Sequence, residues 1–105
     1  MGRFHVAVAA FVIAAAGITA AAQHKVGQKG RLFSPGTLTL KAGDSLLFQN
    51  DDDVTHHVYS ATKGQEFDLQ TMPPGEKASH KFATKGRVDV RCGLHAGMRL
   101  VITVE

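Results

Sequence analysis

The chain has 105 residues, of which 44% are hydrophobic and 20% charged, with 11 Gly and 3 Pro. That is room for one small domain, and it excludes a disordered chain, a multi-span membrane protein and a collagen-like repeat. The formal charge of +3 is spread along the sequence rather than gathered into a basic stripe, which argues against nucleic acid as a partner, and the single cysteine, Cys92, excludes a disulfide within the chain.

Met1-Gly2-Arg3 carries a fixed positive charge, Phe4 to Ile18 is almost wholly apolar, and Ala20-Ala21-Ala22 is a small-residue processing site. Residues 1–22 therefore read as a cleavable secretory signal peptide. Their apolar run is shorter than the ~20 residues a spanning helix needs, so no membrane span is expected in the mature form. Residues 23–105 are then the exported domain. A domain of about 80 residues buries a modest core and is usually stapled by disulfides or a metal. With disulfides excluded, a metal is the expected staple.

After residue 22 the hydrophobic pattern has period two, not 3.6. Residues 25–33 read as a first strand, closed by the turn Ser34-Pro35-Gly36. Leu38 and Leu40 alternate with polar residues up to Ala42-Gly43-Asp44. Leu46, Phe48 and Asn50 share one parity, and Asn50-Asp51-Asp52-Asp53 reads as a solvated acidic turn. Val54, His56 and Val58 share the next inward face. Residues 61–72 read as a long crossing loop, residues 76–83 as a strand after Pro73-Pro74-Gly75. Val88, Val90 and Cys92 share a face after Lys85-Gly86, and Met98, Leu100, Ile102 and Val104 share the last. Short strands separated by frequent turns predict an all-β sandwich.

The chemistry-bearing residues fall at the ends of these strands. Cys92-Gly93-Leu94-His95-Ala96-Gly97-Met98 has the spacing C-x2-H-x2-M, with Cys92 ending one inward set and Met98 beginning the next. His56 lies on the inward face with Val54 and Val58, whereas His57 has the opposite parity. One thiolate, two imidazoles and a thioether form the donor set of a blue-copper electron-transfer site. Structural zinc sites favour several cysteines, and calcium and magnesium require oxygen ligands.

These residues, with Pro35-x-x-Leu38, Lys41-Ala42-Gly43-Asp44, Asn50, His56-His57-Val58 and Lys85-Gly86, resemble the cupredoxins, small blue copper proteins of the plastocyanin and amicyanin type. The resemblance covers nearly all of residues 31–105, and the compact ligand loop is like that of the amicyanins. It implies an eight-stranded Greek-key sandwich with one copper ion, cycling between Cu(I) and Cu(II), at one end. It implies His56, Cys92 and His95 as equatorial ligands and Met98 as the axial one. Two positions depart from the family pattern: His57 stands where the family usually has an Asn that braces the cysteine loop, and Leu94 and Ala96 flank His95 where a Pro is common.

The function implied is one-electron transfer by a protein that is periplasmic or otherwise exported and whose redox partner protein (a dehydrogenase, cytochrome or oxidase) docks over the apolar collar of Leu94, Ala96 and Gly97 near His95; a monomer is expected because the sequence shows no spare apolar face. The alternative is a periplasmic copper chaperone or buffer with the same ligands. No catalytic constellation is visible in the sequence, so the chain is not expected to be an enzyme.

Overall fold

A computed structural model describes residues 20–105; most of the expected signal peptide, residues 1–19, lies outside the described residues. The chain forms β1 (Gln23–Lys29), β2 (Leu32–Ser34), β3 (Thr37–Leu40), β4 (Ser45–Asn50), β5 (His56–Ser60), β6 (Phe67–Met72), β7 (Lys77–Lys81), β8 (Gly86–Cys92) and β9 (Arg99–Val104). They pair into a four-stranded sheet in the order β2-β1-β4-β7 and a five-stranded sheet in the order β3-β9-β8-β5-β6. Two pairings are parallel, β1 with β4 and β3 with β9, so each sheet joins segments far apart in the chain.

Period-two alternation builds the core because successive side chains on a strand point to opposite faces. The burial of β4 follows it residue by residue: Leu46, Phe48 and Asn50 face inward, and Ser45, Leu47 and Gln49 are half-buried outside. Val88, Val90 and Cys92 of β8, and Leu100, Ile102 and Val104 of β9 with Met98 just before it, supply the facing wall. Phe33, Phe48, Phe67 and Phe82 fill the space between the sheets, Phe48 lying edge-on to Phe33 at 6.3 Å between ring centres. Among the described residues there is no helix long and apolar enough to cross a membrane.

Three expectations change. Residues 25–33 form a hairpin rather than one strand, because Gly30 and Arg31 both take positive φ (62° and 56°) and turn the chain back on itself. The two pieces of that hairpin bring the strands among the described residues to nine rather than eight. The expected crossing loop 61–72 contains β6. Its inward parity slips from Phe67 and Leu69 to Met72 because a bulge at Gln70 (φ 65°) inserts a residue opposite β5, and the slip hides the alternation.

Candidate metal centre

Three elements meet at one end of the sandwich. His56 opens β5, Cys92 closes β8, and His95 sits on the loop that carries the chain to β9. His56 and Cys92 are buried, and His95 is partly open to solvent. His56 Nδ1 and His95 Nδ1 are 3.1 Å apart, and Cys92 Sγ lies 3.7 Å from the first and 3.6 Å from the second. Among the described residues these are the three side chains whose donor atoms cluster as a metal site.

The triangle is the right size for an ion. Its centre lies about 2 Å from each corner, close to typical metal–imidazole and metal–thiolate bond lengths. A soft sulfur with two imidazole nitrogens suits copper. Of the four residues singled out from the sequence, these three are brought together around one point. Met98 is placed in the core immediately before β9, 1% exposed, and its N–H donates to the His95 carbonyl at 3.0 Å, closing the ligand loop into a turn.

Second contacts fix the rings. His56 Nε2 meets Asp52 Oδ2 at 3.0 Å, and the same oxygen accepts the Arg31 N–H at 2.9 Å from the β1–β2 turn. These backbone and imidazole bonds hold the Asp52 carboxyl down at about 2. An ionised carboxylate only accepts, so His56 carries its proton on Nε2 and turns the Nδ1 lone pair to the centre. The loop before β5 is pinned by Asn50, a buried side chain whose Nδ2 donates to the carbonyls of Val54 (2.9 Å) and Met72 (2.8 Å) and whose Oδ1 accepts the Asp52 N–H (2.9 Å). The His57 N–H points at Cys92 Sγ at 3.4 Å.

Asp52 is the functional residue that sequence reasoning missed. The triplet Asp51-Asp52-Asp53 reads as a solvated turn, and Asp52 is nonetheless only 10% exposed in its side chain. The one available signal is its position four residues before His56.

The chain matches the family model of copper binding proteins, plastocyanin/azurin family, over residues 20–105. It is 35% identical over 74 residues to the methylamine utilization protein MauL of Methylorubrum extorquens, a match covering 70% of this chain and 64% of that one, so it spans a little under two thirds of that relative's length. It is 29% identical over 112 residues to the chloroplastic plastocyanin of Tetradesmus obliquus, covering 91% of this chain and 72% of that one. Among solved structures, a reduced single-site variant of amicyanin superposes with a TM-score of 0.73 at 24% identity, covering 87% of this chain and 89% of that one, a likeness of fold. The chain belongs to the plastocyanin/azurin family of copper-binding proteins, and its donor set fits one copper ion.

Proposed function

We propose that this member of the plastocyanin/azurin family is an exported one-electron carrier in which His56, Cys92 and His95 hold copper and the Met98 thioether caps it. The observation that supports this most is the convergence of one sulfur and two imidazole nitrogens, from three separate elements, on a single point at bonding distance. Copper, when bound, supplies a one-electron couple between Cu(I) and Cu(II).

The chain's own residues supply the rest. β5 and β8 are adjacent, with Val58 opposite Cys92, so the sheet ladder fixes the separation of His56 from the thiolate. Asp52 keeps the His56 ring from turning. The buried side chains of Met98, Val58 and Leu100 keep water from the inner side of the site. Ligands held this firmly change position little between oxidation states, which keeps electron exchange fast. On the outer side Leu94 is 54% exposed, and with Ala96 it lines a shallow hollow that also includes Tyr59, Arg91 and Gly93 beside Cys92. Such a small surface, with exposed Leu94 beside polar groups, suits brief docking of a redox partner protein, which a carrier must release quickly. The relative MauL is named for methylamine utilization, and a dehydrogenase is a partner of fitting chemistry. Residues 1–22 serve as the signal peptide and residues 23–105 as a monomeric domain that carries electrons without turning over a substrate.

The test is the visible and EPR spectrum of the copper(II)-loaded residues 23–105, with Cys92→Ser beside it. An intense thiolate-to-copper band with narrow copper hyperfine splitting, lost in the variant, is expected. A pale spectrum unchanged by the substitution would overturn the ligand assignment. Copper retained through repeated redox cycles separates a carrier from a chaperone, which would surrender it to a competing chelator.

A further inference from the structure

We infer that the His57 side chain, tethered to Asp68, is a strut that holds the Cys92–Gly93 corner in place, making His57 and Asp68 positioning residues for the copper ligands. The inference rests on the copper-carrier reading and extends it to two residues outside the donor set.

The corner is where β8 leaves its sheet. The last contact there is made by His57, whose carbonyl accepts the Gly93 N–H at 2.8 Å and whose N–H faces Cys92 Sγ at 3.4 Å. Any residue at position 57 offers those backbone groups. What the imidazole adds is seen at Gly93. A Cβ at that position would lie 2.6 Å from His57 Nδ1 and 3.2 Å from Cγ, closer than atoms tolerate. Gly93 has no positive φ, so its backbone conformation does not call for glycine. The ring does: it lies directly against the backbone that follows the thiolate.

A ring free to swing away would support nothing. This one is fixed at its far end, where His57 Nε2 meets Asp68 Oδ1 at 2.7 Å. The Asp68 carboxylate is in turn fixed by the Gln70 N–H at 2.8 Å, and the two bonds hold its carboxyl below the usual range. Gln70 is the positive-φ residue of the β6 bulge. Bulges re-aim side chains, and this one supplies the amide that orients Asp68. The Tyr59 ring, 5.6 Å away between centres, flanks the imidazole. A strut thus runs from β6, across β5, to the loop after β8. An ordinary surface His–Asp contact would require neither the glycine at 93 nor the bulge.

Because His57 and Asp68 are 29% and 51% exposed in their side chains, their pairing adds little to global stability. Its effect is local, and amide exchange reads local opening. In the metal-free domain, Asp68→Ala is expected to speed Gly93 N–H exchange about threefold and His57→Ala about tenfold, with urea midpoints near the parent's. The double variant should do no more than His57→Ala alone, since both act through one strut. Asp68→Asn, which keeps an acceptor oxygen, should stay within about twofold of the parent. In the copper-loaded protein, His57→Ala and Asp68→Ala should shift the thiolate-to-copper band in the same direction. Gly93 exchange unmoved by either single substitution, or effects that simply add, would overturn the strut while a strong band in the parent leaves the carrier reading intact. A parent without that band would overturn the carrier reading, and with it any positioning role for these two residues.

Discussion

Asp52 decides which nitrogen of His56 faces the donor triangle. Its Oδ2 accepts from the ring and from the Arg31 amide at once, so the β1–β2 turn, the acidic loop and the ligand are linked through one atom. Groups that orient a ligating imidazole in this way typically tune affinity by ten- to a hundredfold. Asp52→Asn is therefore expected to lower copper affinity about tenfold in chelator competition, whereas Asp53→Asn should not. Three consecutive aspartates look alike in sequence. What separates them is the fold: Asp51 accepts from the outward Gln49 side chain, Asp52 turns toward His56, and Asp53 only donates its backbone N–H to Asp52 Oδ1 over 3.3 Å. The clustering of His56, Cys92 and His95 and the inward place of Met98 were legible because parity turns His56, Cys92 and Met98 inward and chemistry groups them. The support beneath them was not, because it depends on turns whose directions only the folded backbone sets.

Among the elements, the strands with clean alternation were readable and those broken by positive-φ residues were not. β4, β8 and β9 keep one parity from end to end, and their buried sets match the pattern. β6 changes parity at Gln70, and Arg31 gives no sequence warning of a left-handed turn. The loop between β4 and β5 depends on Asn50, which is fully buried and whose side chain satisfies two carbonyls and one amide. Asn50→Ala leaves those groups without partners. The metal-free domain should lose about 2–4 kcal/mol in urea unfolding, and a loss under 1 kcal/mol would show that water or loop movement replaces the bonds. Ile102→Ala, which removes buried methyls from the middle of β9, should cost about 3 kcal/mol by the same assay and leave the ligand loop spectrum recognisable.

For the molecule as a whole, acid is the condition that undoes it. Asp44, Asp52, Asp68 and Asp89 all sit below their ordinary 3.8 in the fold, chiefly through backbone amides at the first three and through Arg99 at Asp89. A carboxylate depressed in the folded state stabilises above its unfolded value and loses that contribution as pH falls through its folded one. His80, stacked on Phe67 at 4.0 Å, is pushed below 6.5 by burial, so protonation favours the unfolded chain and stability begins to fall once pH drops under that value. Urea midpoints of the metal-free domain should thus decline gently below about pH 6.5 and steeply between about pH 4 and 2, and His80→Phe should flatten the first slope only. The sandwich class was legible from the spacing of turns, whereas the two parallel pairings were not, since period-two patterning is silent on which strands become neighbours. One of those pairings sets a schedule. β9 follows every other described strand in the chain, yet it lies between β3 and β8. Until it arrives, β3 has no neighbour in its sheet and the turn bearing His95 and Met98 has nowhere to close. Contacts of such long sequence separation form slowly, on the order of milliseconds to seconds. The three-cornered donor cluster is thereby completed at the end of folding, and a half-made chain has no finished seat there.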